Sequence, residues 1–259
     1  MMKKQIRKEL QQIHLETPLA AIYEICCHYR YHPIILFLDF YTWMNNPESQ
    51  MVAVTVRAGS KAEMALPDGT FVHLNAATNL EYDVNNSKQR LVKLSGEAFF
   101  DVAKNPDCPF KVIINDLQIE VVGTSFNVKT YKKDIVETSL LSGRIRISGG
   151  SLPHEYTLST GQKATYSAMD RTLRISKADA HVEAGWRDNY LIFESTPLID
   201  VIAQIERWYG VEIRLHHKQI AQDLLSGSFR NESIQNVIRS LSIQYGFKYE
   251  IHKDIITIY

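Results

Sequence analysis

Residues 66–128 read LPDGTFVHLNAATNLEYDVNNSKQRLVKLSGEAFFDVAKNPDCPFKVIINDLQIEVVGTSFNV, and the order of apolar and polar residues in that stretch decides the fold class. Pro67-Asp68-Gly69-Thr70 is a turn with a mechanism: proline presets φ, aspartate caps the turn, and glycine accepts positive φ. After it, Val72, Leu74 and Ala76 alternate with Phe71, His73 and Asn75, the period of two that a half-buried strand requires. Arg90 to Leu94 repeats the alternation, and Gly96 marks a bend or bulge before a further strand, Gly96 to Val102.

The same grammar extends both ways. Upstream, Val52, Val54 and Val56 alternate with small or polar residues. Downstream, short segments recur at about ten-residue spacing from Phe110–Ile114 to Leu173–Ile175, with Gly123, Gly143 and Gly161 at or between their ends. Helical periodicity is absent between about residues 52 and 180. The expectation is an all-β domain, a sandwich or rolled sheet, over residues 51–182.

Beyond Trp186 an internal repeat begins. FESTPLIDVIAQIERWYGVEIRL, from Phe193, aligns without gaps on FRNESIQNVIRSLSIQYGFKYEI, from Phe229, at a constant offset of 36 residues. Each copy reads as a strand, an amphipathic helix and a second strand. Leu198, Val201, Ile202 and Ile205 form the apolar stripe of the first helix. Thr196 with Pro197 is the expected start of that helix, and Asn231 or Ser233 the cap of the second. Gly210 and Gly246 stand where left-handed residues end helices. Residues 183–259 are thus expected to form a small α+β domain of two repeated β-α-β units, with Trp208, Tyr209 and Tyr245 as core.

No constellation of residues points to catalysis, a cofactor or a metal. Glu97 and Asp101 share a strand face with Phe99, so a paired-carboxylate glycosidase is conceivable in principle, but a solvated acidic face is the expectation. Gly149-Gly150-Ser151 and Gly123-Thr124-Ser125 lack the glycine spacing of a phosphate loop. His216 and His217 are adjacent and would face opposite sides of a strand. Three cysteines, Cys26, Cys27 and Cys108, give neither a disulfide framework nor a metal spacing. Lys and Arg number 29, as do Asp and Glu, and this balance disfavours a nucleic-acid partner.

Residues 1–50 do not read as a secretory signal, because Glu24 breaks the apolar stretch LAAIYEICC. The run from Pro33 to Met44 is the best membrane candidate, yet its twelve residues contain Asp39. A helix of that length covers about 18 Å, against about 30 Å of hydrocarbon.

In order along the chain stand Leu66-Pro67-Asp68-Gly69-Thr70, Leu74-Asn75-Ala76, Gly96-Glu97-Ala98-Phe99-Phe100-Asp101-Val102, Pro109-Phe110-Lys111-Val112, Gly123-Thr124-Ser125-Phe126-Asn127-Val128, Trp186, and Arg207-Trp208-Tyr209-Gly210-Val211. This series resembles the FecR-like transmembrane regulators over about Met51 to Tyr259. The C-terminal part is also similar to the short N-terminal signalling domains of secretins and TonB-dependent transporters. The resemblance implies an anti-sigma factor without enzymatic activity. It would relay a signal from a TonB-dependent outer-membrane transporter to an extracytoplasmic-function sigma factor. Residues 51–259 would be periplasmic in a Gram-negative bacterium, with inner-membrane anchoring through residues 1–50. Partner recognition is expected by strand addition, with Ile255, Ile256, Thr257, Ile258 and Tyr259 as the candidate edge. The alternative is a carbohydrate- or small-ligand-binding envelope protein, whose thirteen tyrosines could supply an aromatic platform.

Overall fold

In the computed structural model, which describes residues 50–84, 90–216 and 218–259, the alternating segments form strands as expected. They begin with β1 (Met51–Val56), β2 (Ala62–Ala65), β3 (Phe71–Leu74), β4 (Thr78–Asp83), β5 (Arg90–Ser95), β6 (Glu97–Asp101) and β7 (Phe110–Ile114). There follow β8 (Leu117–Val121), β9 (Ser125–Lys129), β10 (Ile135–Ser142), β11 (Arg144–Gly149), β12 (Tyr156–Ser159), β13 (Gln162–Ser167) and β14 (Thr172–Lys177). They build two seven-stranded sheets, ordered β1-β4-β5-β7-β8-β11-β12 and β14-β13-β10-β9-β6-β3-β2. Pairing is antiparallel throughout except between β5 and β7.

Alternation places one face of each strand in a shared core. Val92 and Leu94 of β5, Val112 of β7 and Ile119 of β8 are buried, while Lys93 is exposed. Phe100 of β6 stacks on Phe126 of β9, with centroids 5.2 Å apart. It meets Phe110 of the opposite sheet at 5.8 Å. Each such ring contributes roughly 1.5–3 kcal/mol of burial energy. In the opening turn Asp68 accepts from Thr70 N at 2.9 Å and from Thr70 Oγ1 at 2.8 Å.

A short helix, α1 (Ala180–Ala184), and a 3-10 turn, Gly185–Asp188, carry the chain into the C-terminal lobe. The lobe contains β15 (Tyr190–Pro197), α2 (Leu198–Tyr209), β16 (Glu212–Leu215), β17 (Leu224–Arg230), α3 (Ile234–Tyr245), β18 (Tyr249–His252) and β19 (Ile255–Ile258). Two self-contained β-α-β units do not form. The first strands of the two copies, β15 and β17, pair with each other antiparallel in their own sheet. The second strands, β16 and β18, flank β19 in another, ordered β16-β19-β18. The strand outside the repeat decides this arrangement: Ile256 and Ile258 of β19 are buried at its centre.

That order corrects the expected edge. Ile255, Ile256, Thr257 and Ile258 form a central strand, parallel to β16 and antiparallel to β18. Tyr259 follows it and donates its N–H to Lys248 O at 2.9 Å. Among the described residues, the outer edges of this sheet belong to β16 and β18.

The helix ends also depart from expectation at one point. Strand β15 runs to Pro197, and α2 starts at Leu198 without a side-chain cap. The Leu198 and Ile199 N–H groups donate instead to Asp223 O (2.8 Å) and Ala221 O (2.9 Å). Ser233 caps α3 through Asn236 N, and Gly210 and Gly246 end the helices in the left-handed region. Both helices bury their apolar stripes: Val201, Ile202, Ile205, Val237, Ile238 and Leu241 form the core of the lobe. The Pro33–Met44 run lies outside the described residues, and among those described no helix is long and apolar enough to cross a membrane.

Candidate functional site

The outer face of β6 is where the two lobes meet. Glu97 lies there with 7% of its surface exposed and Phe99 with 3%. The expected solvated acidic face is therefore wrong for Glu97. Trp186, Ala184 and Trp208 cover this face, packing with Phe99. A buried carboxylate needs donors. Asn75 Nδ2 donates to Glu97 Oε2 at 2.7 Å, and Asn127 Nδ2 to Oε1 at 3.0 Å. Asn127 Oδ1 then accepts from Trp186 Nε1 at 3.1 Å, so one amide ties the sandwich carboxylate to the covering tryptophan.

Asp101, two pleats along the strand, is exposed and accepts from Ser125 Oγ at 2.8 Å. Four residues of strand separate it from Glu97 by about 13 Å. Glu97 lies buried beneath the Trp186 cover while Asp101 is exposed, so the two do not face one open cleft as glycosidic carboxylates do. Among the described residues no group of His, Cys, Asp and Glu could hold a metal. Phe99, Phe100, Phe110 and Phe126 are buried, which removes them from any sugar-binding platform.

The loop between β1 and β2 clamps the junction. Gly59 N donates to Arg207 O at 2.8 Å. Gly59 and Gly210 pack so closely that a Cβ on Gly210 would lie 3.1 Å from Ala58 O and 3.3 Å from Gly59 Cα. Lys61 Nζ donates to Trp186 O (2.7 Å) and Asn189 Oδ1 (3.0 Å), and sits 3.6 Å from the Trp208 ring centroid. Burial pulls the Lys61 ammonium down to about 8, against the opposing attraction of Glu97. The Arg207 guanidinium stacks on Tyr131, 4.2 Å from its centroid. Burial makes Arg207 easier to deprotonate and raises the Tyr131 phenol, which donates to Ala76 O. Arg187 likewise covers the Phe99 ring at 3.6 Å.

Beside the junction a cleft of about 440 Å³ separates the outer face of the second sheet from β15 and α2. Lys132 pairs with Asp200 across it at 2.6 Å. Lys163 lies between Glu137 (3.1 Å) and Glu183 (2.9 Å). Burial opposes the charge on Lys163, but the two carboxylates outweigh it and hold its proton more tightly. The arrangement is suited to recognition by charge and shape.

The sequence motifs single out Trp186 and Arg207-Trp208, and the structure brings these together with Glu97. Lys61 is a partner in the junction that sequence reasoning misses, and Asn127 stands in one of the motifs without its role being legible there. The one available signal is Phe99 beside Glu97 on a single face, since a large aromatic there needs a cover. Tyr209 is half-buried, donates to Glu232 O at 2.8 Å, and is pushed up to about 12 by burial.

No curated protein matches the chain in sequence. The family model described as FecR protein matches residues 52–146, and that described as FecR, C-terminal matches residues 190–258. Two crystal structures of a "putative anti-sigma factor" from Parabacteroides distasonis ATCC 8503 are similar to it. Each has a TM-score of 0.73 and 29% identity; the matches cover 81% and 80% of this chain and 99% and 98% of that one. With both domains present in order and this likeness running across them, the chain belongs to the FecR-like family of anti-sigma-type regulators.

Proposed function

We propose that this regulator relays a signal from a TonB-dependent outer-membrane transporter to an extracytoplasmic-function sigma factor. Residues 51–259 act in the periplasm, and the N-terminal segment connects them to the inner membrane and the sigma factor. The observation that carries this reading is the contact of α2 with the loop after β1. Through Gly59, Lys61 and Arg207, the C-terminal lobe is joined to the first strand of the sandwich, which continues from the N-terminal segment. A partner that displaces the lobe would disturb that strand directly.

Recognition of the transporter's signalling domain is assigned to the C-terminal lobe, by strand addition at an outer edge of β16 or β18. Testing needs the full chain in its own cells. Fractionation with protease protection should leave residues 51–259 accessible only after the outer membrane is opened. Pull-down with the signalling domain of a cognate transporter should retain the chain, and deletion of the chain should change transcription by one extracytoplasmic-function sigma factor. Cytoplasmic recovery of residues 51–259, or no retention at micromolar concentration, would count decisively against the relay.

A further inference from the structure

The cations that line the cleft between the lobes are unequally engaged. Lys132 and Lys163 have carboxylate partners. Arg207 has none: among the described residues its guanidinium meets the Tyr131 ring and no hydrogen-bond acceptor or ion-pairing carboxylate. Glu97, Glu206 and Asp200 attract it without pairing with it. The Glu97 oxygens accept from Asn75 and Asn127, Asp200 pairs with Lys132, and Glu206 accepts from Ile213 N. A half-buried guanidinium carries five donors in a rigid fork whose geometry matches a carboxylate. The Arg207 nitrogens stay open to the cleft, because among the described residues Tyr245 Oη is the buried side-chain polar atom that lacks a partner. The fork is therefore within reach of a ligand. Stacking on Tyr131 fixes the plane of the fork in advance, which lowers the ordering cost of a ligand.

Two neighbours strengthen the site. Lys129 of β9 lines the same cleft and makes no ion pair among the described residues, although it stands across from Glu97 and Glu137 in the sheet. Gln204 precedes Arg207 by three residues on α2, so its amide faces the same way. Four of the five carboxylates that line the cleft are engaged: Asp200 with Lys132, Glu137 and Glu183 with Lys163, and Glu97 with Asn75 and Asn127. Exposed Glu194 makes no ion pair among the described residues. The facing wall is the outer side of β15, where Tyr190 and Ile192 alternate with buried Leu191 and Phe193. A period-two, half-apolar wall suits the alternating side chains of an extended chain.

We propose that Arg207, with Lys129 and Gln204, forms a carboxylate-recognition site in this cleft, and that its ligand is an acidic side chain on an extended peptide segment of a partner protein. The site is independent of the sheet edges assigned above to the transporter.

The test is a titration of the full chain, followed through the arginine side-chain N–H signals by NMR. The probes are acetyl-Ala-Glu-Ala-amide, its Gln counterpart and acetate. The glutamate tripeptide is expected to shift the Arg207 Nε–H signal saturably and the Gln tripeptide to leave it in place. Arg207→Lys should weaken binding about tenfold, the loss expected for one bidentate contact. An equal response to both tripeptides, or no saturable shift with the glutamate probe, overturns the proposal. Acetate binding as tightly as the tripeptide removes the peptide part of it. Should Arg207→Lys fail to fold, the two tripeptides on the wild-type chain decide alone.

Discussion

Asn127 holds Trp186 and Glu97 at once: its carbonyl accepts from the indole at 3.1 Å and its amide donates to the carboxylate at 3.0 Å. The orientation of that amide is dictated by its partners, since a flipped Asn127 would set donor against donor at Trp186 and acceptor against acceptor at Glu97. The amide thus couples the covering tryptophan to a side chain at position 97 that accepts through both of its oxygens.

Glu97→Gln tests this coupling. A glutamine must turn an NH₂ group toward Asn75 or Asn127, both of which donate. One buried donor is then left unmatched, at a cost of about 1–3 kcal/mol. Thermal unfolding should shift down by several degrees, with near-ultraviolet circular dichroism reporting the loosened Trp186. An unchanged melting temperature would show that the two amides do not need the carboxylate.

Two glycines with positive φ should respond differently to alanine. Gly246 has φ of +70° and open space where a Cβ would stand, so Gly246→Ala carries only the left-handed penalty of about 1 kcal/mol. Gly96 has φ of +114°, and a Cβ there would lie 2.5 Å from Thr78 Oγ1 and 2.7 Å from Thr78 Cα. Gly96→Ala should cost at least about twice as much in chemical denaturation, because β4 must move. Equal losses would mean that neither the wider φ of Gly96 nor the crowding at Thr78 adds to the left-handed penalty.

Arg90 is a buried staple of the sandwich. Its guanidinium donates to Cys108 O (2.6 Å), Ala103 O (2.6 Å) and Asn105 O (3.2 Å), and pairs with Asp68 at 3.2 Å. Three backbone carbonyls of the β6–β7 connection thus depend on one planar fork. Lysine reaches at most part of that set, so Arg90→Lys should lose about 2–4 kcal/mol and open the connection. Faster amide hydrogen exchange at residues 103–108 is the direct readout; unchanged exchange there would refute the staple.

How much of this is legible in the sequence follows from what a period can encode. Alternation at Val72, Leu74, Val92 and Leu94 assigns strands and their inner face correctly, because burial on one side of a pleat leaves that mark. The same pattern puts Glu97, Phe99 and Asp101 on one outer face but cannot show that Trp186, far along the chain, covers part of it. A solvated Glu97 is what that pattern predicts, and the prediction holds only for Asp101, which is exposed. The repeat after Phe193 is likewise visible as residues, but not as pairing. Residues 255–259 come last in the chain, yet β19 sits between β16 and β18 because Ile256 and Ile258 gain burial there. Arg207 is prominent in its motif, but its empty hydrogen-bonding fork emerges only once Tyr131 is placed beneath it.

Lys61 gives the junction a pH dependence whose sign can be worked out. Its folded-state pKa is depressed to about 8 from 10.5, chiefly by burial. Below pH 8 the ammonium is present in both folded and unfolded chains, and the folded state bears the full cost of burying it. Between about 8 and 10.5 the unfolded chain binds more protons at this site, so the contribution of Lys61 to stability rises with pH in that window and is level on either side. Tyr131 and Tyr209, both raised by burial, act oppositely at higher pH, and a comparison with Lys61→Met cancels them. Chemical denaturation of both chains from pH 7 to 10.5 should show the wild type gaining on the variant only above about pH 8. A difference that stays flat, or that falls with rising pH, would mean that the bonds to Trp186 O and Asn189 Oδ1 hold the ammonium well enough to offset its burial.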